Sequence, residues 1–207
     1  MSALVAGLAF HRKGSVRGYA VSKFVASSAM IAFAWSRGAV EHSVGSALLV
    51  ALTASLVGDG LLAATRRWAL PAGMGAFMVT HAALATTFVL AGSAFPAAAF
   101  AGITLAILGL SGLLVAHWRG LSLWSLVRTP MLVGLVVYCV ALVTMTALAI
   151  GVWVAHDEPI VATAAMSFVV SDLGVAARRF LPSAPDTRPW ALPLYYMAQG
   201  GFVVALT

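Results

Sequence analysis

The chain has 207 residues, of which 62% are hydrophobic and only 9% are charged. Its mean hydropathy of +1.00 excludes an ordinary soluble domain. The formal net charge of +6 does not indicate a nucleic-acid partner in so apolar a chain, because basic residues mark one side of the bilayer in membrane proteins. The single cysteine, Cys139, excludes an intramolecular disulfide and a metal cluster of cysteines.

Apolar stretches of membrane-spanning length follow one another through the whole sequence. A transmembrane helix needs about 20 mostly apolar residues. We therefore predict an all-α, polytopic transmembrane helical bundle that forms a single domain over residues 1–207. Residues 3–10 are apolar but too short to cross alone, so we interpret them as a short N-terminal segment or as part of an eighth span. The seven predicted full spans are 19–35, 43–64, 71–91, 97–116, 130–151, 159–177 and 190–206.

Lysine and arginine residues are concentrated on one side of these predicted spans. Ten lie on that side, Arg37 alone lies on the other, and Lys23 lies inside the first full span. Under the positive-inside rule the basic side is cytoplasmic and the C-terminus lies outside. We expect a multi-pass protein of a bacterial inner (plasma) membrane. The ten basic residues are Arg12, Lys13, Arg17, Arg66, Arg67, Arg119, Arg128, Arg178, Arg179 and Arg188.

Two aspartates, Asp59 and Asp172, interrupt otherwise apolar segments with the sequences LVGDGLLAA and FVVSDLGVAA. A charged side chain at the centre of a span costs roughly 2.5–3.5 kcal/mol on insertion scales, so such residues usually have a function. Asp59 precedes Arg66 by seven residues, which places it roughly 10 Å inside the cytoplasmic boundary at 1.5 Å per residue. Asp172 lies at a similar depth. Neither aspartate has a basic partner four residues later on its own helix, and we predict that both belong to a functional site.

Lys23 and His81 carry polar groups into the same half of the predicted bilayer. Lys23 either snorkels to the interface or points inward, pairs with Asp59 or Asp172 and meets a lipid phosphate. His81 either makes a hydrogen bond to a neighbouring helix or takes part in the site. The other histidines fall in predicted loops, so we expect no metal site.

Tyr195, Tyr196 and Gln199 form a third polar group in the sequence LPLYYMAQGG. The tyrosines could belong to an interfacial aromatic belt, but Gln199 is too deep for that position. Small residues next to all these polar positions would allow close helix packing. They are Gly58, Gly60, Gly73, Gly75, Gly200 and Gly201.

These motifs together resemble the YhhN family of membrane proteins, which includes the animal lysoplasmalogenases. The resemblance rests on Lys23, on GDGLL around Asp59, on His81, on SDLGVA around Asp172 and on YYMAQ, and it extends from Lys23 to the C-terminus. Two features differ, because family members commonly have Lys-Pro where this chain has Lys23-Phe24, and they usually begin with a full additional span.

The resemblance implies cleavage of the vinyl-ether bond of a lysoplasmalogen-type lysophospholipid, which releases a fatty aldehyde and a glycerophospho-base. Two carboxyls suit this chemistry, since one can protonate the alkene carbon while the other stabilises the oxocarbenium ion or activates water, as in glycoside hydrolysis. We predict that Asp59 and Asp172 are catalytic and that Lys23, His81, Tyr195, Tyr196 and Gln199 bind substrate. No cofactor is expected, and the partners are the lysophospholipid substrate and membrane lipids.

Two other functions are compatible with buried charges. A proton-coupled transporter or carrier of a small or lipid-like solute would also use intramembrane Asp, Lys and His, although no internal repeat is evident. A photoreceptor with a lysine-bound chromophore would need Lys23 as its attachment site, and that residue lies near the end of its span. The sequence therefore favours the hydrolase.

Overall fold

The computed structural model describes residues 16–64, 66–94, 130–180 and 185–207. These residues form six α-helices and one short 3₁₀ turn, Ala39–Glu41, and contain no β-strand. The helices are α1 (Val16–Ser36), α2 (Ser43–Ala63), α3 (Ala69–Leu90), α4 (Pro130–His156), α5 (Pro159–Phe180) and α6 (Arg188–Leu206).

Each described helix coincides with a predicted span, and the largest difference is at the end of α4. The prediction ended this span at 151, whereas the helix continues to His156. It stops there because Asp157 adopts a positive φ of 55°, a conformation that does not continue a right-handed helix. The all-helical class is therefore confirmed in the described residues.

Four of the six described helices are long and apolar enough to cross a membrane. They correspond to α2, α3, most of α4 and most of α5. The predicted fourth span, 97–116, and the segment 3–10 lie outside the described residues. The total of seven spans is therefore not confirmed.

The six helices pack in a closed ring. Each helix contacts the next one along the chain, and α6 returns to contact α1. α6 also contacts α2, so α1, α2 and α6 meet at one side of the ring. Side chains that face the interior of such a ring are separated from lipid, and this is where charged groups are tolerated in a membrane protein.

Helices α3 and α4 run parallel to each other, although they are consecutive among the described helices. The amide of Ala94, just after α3, donates to the carbonyl of Gly151 at 3.3 Å, and the Ser93 hydroxyl donates to the carbonyl of Leu148 at 2.7 Å. The end of α3 therefore lies beside the C-terminal half of α4.

Exposed tryptophans lie at both ends of the bundle. Trp35 and Trp153 lie in the last turns of α1 and α4, whereas Trp68 and Trp190 lie at the starts of α3 and α6. Because tryptophan is enriched at both membrane–water interfaces, this distribution is typical of a helical bundle that crosses a bilayer. Many of the exposed side chains between the two ends are valine, as expected of a surface in contact with lipid.

Close helix contacts occur at three of the six glycines that the sequence singled out. A Cβ atom at Gly58 would lie 2.7 Å from the Phe77 ring, one at Gly73 would lie 2.6 Å from Leu62, and one at Gly201 would lie 2.9 Å from Ala164. The first two contacts bring α2 against α3, and the third brings α6 against α5. No atom of the described residues lies within 4 Å of such a Cβ at Gly60, Gly75 or Gly200, so close packing at these three stays a prediction.

Candidate functional site

Asp59 lies where α1, α2 and α6 meet, and its side chain is only 2% exposed. The ammonium group of Lys23 lies 2.5 Å from Oδ1. The hydroxyls of Ser27 and Tyr195 donate to Oδ2 at 2.6 and 3.1 Å. All three partners are hydrogen-bond donors, and such charge-assisted bonds stabilise an ionised carboxylate in an apolar environment. We call Asp59 with these three residues the Asp59 cluster.

Lys23 points inward rather than toward the membrane interface. Its side chain is only 12% exposed, so the snorkelling alternative does not apply, and the ion pair forms with Asp59 rather than with Asp172. Tyr196 fixes this part of α1, because its hydroxyl lies 3.2 Å from the Lys23 carbonyl and 3.2 Å from the Ser27 hydroxyl. Tyr195 and Tyr196 are both buried and therefore do not belong to an interfacial belt.

Asp172 has a different set of partners, from α3 and α4. The Tyr138 hydroxyl donates to Oδ2 at 2.7 Å, and His81 Nε2 lies 3.3 Å from the same oxygen. The His81 contact has ion-pair distance but not hydrogen-bond alignment, since neither ring nitrogen has a hydrogen-bond partner among the described residues. We treat it as a close electrostatic contact. We call Asp172, Tyr138 and His81 the Asp172 cluster.

The two clusters are connected by a row of aromatic rings. The Tyr195 ring lies 5.4 Å from the Phe168 ring, and Phe168 lies 5.2 Å from His81, both in edge-on contacts. Phe168 also precedes Asp172 by one helical turn on α5. No described contact joins the two aspartates directly. Lys23 is paired with Asp59, Asp172 lies beside His81, and the aromatic ring of Phe168 lies between the two clusters.

Gln199 follows Tyr195 by four residues on α6, so it lies one turn further along the same helix face. It is 1% exposed, and neither its amide nitrogen nor its amide oxygen has a hydrogen-bond partner in the part of the chain that the structure describes. Burying such a group unpaired costs about 1–3 kcal/mol. A buried amide with open donor and acceptor atoms is suited to bind a polar group of a ligand.

Five of the seven residues predicted for the site lie toward one end of the bundle, in the first halves of α1 and α6 and the second halves of α2 and α5, whereas His81 and Gln199 lie just past the midpoints of α3 and α6. The contacts of Asp59 with α1 and of Asp172 with α4 place the last two turns of α2 and α5 beside the first halves of α1, α4 and α6. The first turn of α6 carries Arg188, and Arg66 follows the end of α2. The polar groups of Lys23, Asp59 and Asp172 therefore lie in the half of the bundle that ends at these basic residues.

Tyr138 and Phe168 were not predicted from the sequence. Tyr138 interrupts the apolar run LVGLVVYCVAL eight residues after Pro130, at a depth similar to those of the aspartates, and this depth was the available signal. Phe168 gave none, because a phenylalanine in an apolar span is ordinary core. Ser27 lies one turn after Lys23 on the same face of α1, and its bond to Asp59 follows from the packing of α1 on α2.

Comparison with known proteins identifies the family. No curated protein and no solved structure matches the chain. The model of the YhhN family matches residues 18–206, which includes every residue of both clusters. This match covers nearly the whole chain and agrees with the motifs around Lys23, Asp59 and Asp172, and the chain therefore belongs to the YhhN family.

Proposed function

We propose that this protein is an integral membrane hydrolase that cleaves the vinyl-ether bond of lysoplasmalogen-type lysophospholipids. The observation that carries the proposal is that two polar clusters lie inside one ring of helices. Each cluster is centred on a carboxyl group, and the side chains of Asp59 and Asp172 are 2% and 12% exposed. Two carboxyl groups in a site with little water can act as acid and base, each through its own set of neighbours.

The reaction needs little more than these two groups. A general acid transfers a proton to the alkene carbon that is not bonded to oxygen, and the electron pair of the double bond forms the new C–H bond. The product is an oxocarbenium ion. Water attacks its carbon and loses a proton to a base, and the hemiacetal then separates into a fatty aldehyde and the glycerophospho-base. We propose that Asp59 and Asp172 divide the acid and base duties.

The other residues of the two clusters, together with Tyr196 and Gln199, orient the substrate and hold the carboxyl groups in position. Lys23 compensates the charge of Asp59, and the hydroxyls of Tyr195 and Tyr196 fix the positions of Asp59 and α1. His81 lies against Asp172 and can pass a proton to it. The open amide of Gln199 binds a hydroxyl or phosphate oxygen of the lysophospholipid.

The test compares two lipids that differ in one bond. The purified protein is incubated with a lysoplasmalogen and with its saturated ether analogue, and aldehyde is measured over time. We expect aldehyde from the vinyl ether only, because the saturated ether has no alkene carbon to protonate. The analogue should still bind and inhibit. Absence of aldehyde from the vinyl ether, with the analogue bound, would contradict the proposed reaction.

A further inference from the structure

The two aspartates have such different partners that they are not interchangeable. An ionised carboxylate accepts about four hydrogen bonds through the lone pairs of its two oxygens. Asp59 uses three of them, one on Oδ1 for Lys23 and two on Oδ2 for Ser27 and Tyr195. A proton on Asp59 would have to share Oδ1 with the ammonium group of Lys23, because hydroxyl donors occupy both positions on Oδ2. The Asp59 cluster therefore fits the ionised form, with one acceptor position left open on Oδ1.

The carboxyl group of Asp172 has fewer described neighbours than that of Asp59, and they all approach one of its two oxygens. Tyr138 and His81 both approach Oδ2, and no described residue donates to Oδ1. The side chain is 12% exposed, whereas that of Asp59 is 2% exposed. Because the Tyr138 hydroxyl donates to Oδ2, a proton carried by Asp172 is directed to Oδ1, the oxygen that is free to reach a ligand.

We infer that Asp172 is the general acid of the reaction and that Tyr138 is the positioning residue that holds its proton on Oδ1. The inference rests on the proposed function and assigns the two duties that it leaves open. Asp172 Oδ1 gives its proton to the alkene carbon and is left as a carboxylate. Asp59 is ionised when the substrate binds, stabilises the oxocarbenium ion and then takes a proton from the attacking water. Proton transfer from Asp59 to Asp172 then returns both residues to their starting forms.

The order of the two steps gives a test that separates the aspartates. In D2O, a variant that lacks the base still deuterates the alkene carbon, but water does not capture the oxocarbenium ion, which loses a proton from that carbon to the Asp172 carboxylate and returns to alkene. We therefore expect Asp59→Asn to release little aldehyde while the recovered vinyl ether gains deuterium or changes its double-bond geometry. We expect Asp172→Asn to release little aldehyde and to leave the recovered vinyl ether unchanged, because protonation never occurs.

Asp59→Asn leaves the Lys23 charge unpaired, so the double variant Lys23→Met/Asp59→Asn is measured beside it. Exchange in either Asp59 variant, and none in Asp172→Asn, supports the assignment. Exchange in Asp172→Asn, or none in both Asp59 variants, overturns it. These outcomes differ from failure of the proposed function, in which the wild-type protein itself releases no aldehyde from the vinyl ether.

Tyr138→Phe tests the positioning role separately. It removes one hydroxyl and keeps the ring that packs on His81 at 5.1 Å. We expect kcat to fall about 10–100-fold, as for a misplaced catalytic group, with KM unchanged and the solvent deuterium isotope effect on kcat retained. Thr146→Val is the matched control, because it removes a buried hydroxyl from the same helix that bonds only to its own backbone. A rise in KM with unchanged kcat, or wild-type kinetics in Tyr138→Phe, overturns the role.

Discussion

Lys23 and Asp59 form an ion pair of 2.5 Å between α1 and α2. Neither residue has a partner of opposite charge on its own helix, so the pair exists only when α1 and α2 pack together. Two charges removed from water are stabilised only if their remaining bonding capacity is also satisfied. The hydroxyl groups of Ser27 and Tyr195 donate hydrogen bonds to Oδ2 of Asp59. The bond from Tyr195 also connects the ion pair to α6.

Removing Lys23 should therefore destabilise the bundle more than an ordinary surface substitution. We expect Lys23→Met to lower the free energy of unfolding by about 3–5 kcal/mol, because it leaves the Asp59 carboxylate buried without its counter-charge. The double variant Lys23→Met/Asp59→Asn should recover part of this loss. Denaturant unfolding in detergent micelles measures these variants and Asp59→Asn, and a loss in the double variant equal to the sum of the two single losses would show that the ion pair carries no coupling energy.

The close contact of Gly58 with Phe77 links helix packing to the Asp59 cluster, since the Phe77 ring also lies 6.0 Å from that of Tyr195. We expect Gly58→Ala to destabilise the protein by about 1–3 kcal/mol through overpacking and to reduce turnover. Gly60→Ala, two residues away with open space around its Cβ, should be neutral or stabilise by up to about 1 kcal/mol. Thermal unfolding of both variants decides this, and similar behaviour of the two would contradict the packing described at Gly58.

The unpaired amide of Gln199 predicts opposite effects on stability and binding. Gln199→Met has similar volume and removes two buried polar atoms that have no described partner, so we expect stability to be unchanged or increased. If the amide binds the lysophospholipid, KM should rise while kcat changes little. Unfolding and steady-state kinetics on the same preparation measure both effects. Lower stability with an unchanged KM would mean that Gln199 has a structural partner instead.

The membrane orientation is a separate prediction. The bias of Lys and Arg toward one side of the predicted spans places that side in the cytoplasm and the C-terminus outside. A C-terminal alkaline phosphatase fusion should be active, and a C-terminal fluorescent protein that folds only in the cytoplasm should be dark. The reverse pattern would place the candidate site near the outer surface instead.

The sequence predicted the six described helices and the depth of their polar residues, because both follow from the apolar pattern along the chain. Helix ends agree to within a few residues, since charged residues and prolines interrupt the apolar runs at the boundaries. Asp59 and Asp172 were identified from the cost of placing a carboxylate among apolar neighbours, and this cost does not depend on knowing the fold.

The pairing of these residues could not be predicted, because the sequence gives a position along the membrane normal but not a position around the ring. Lys23 could reach either aspartate at its depth, and only the packing of α1 on α2 selects Asp59. Tyr138 was missed for the same reason, since a tyrosine in an apolar run is ordinary until its neighbour across the ring is known. The tyrosines of α6 were ambiguous until their burial showed that they face the interior.

The most direct test of the central claim is the initial rate of aldehyde release from a lysoplasmalogen by the wild-type protein, Asp59→Asn and Asp172→Asn. Loss of acid–base catalysis is worth about 10²–10⁴-fold, so both variants should lose most of their turnover. Each should still fold and bind the saturated ether analogue, because contacts with the head group and tail do not need the carboxyl chemistry. If both variants release aldehyde at near wild-type rates, the two carboxyls are not the catalytic groups and the account of the site is wrong.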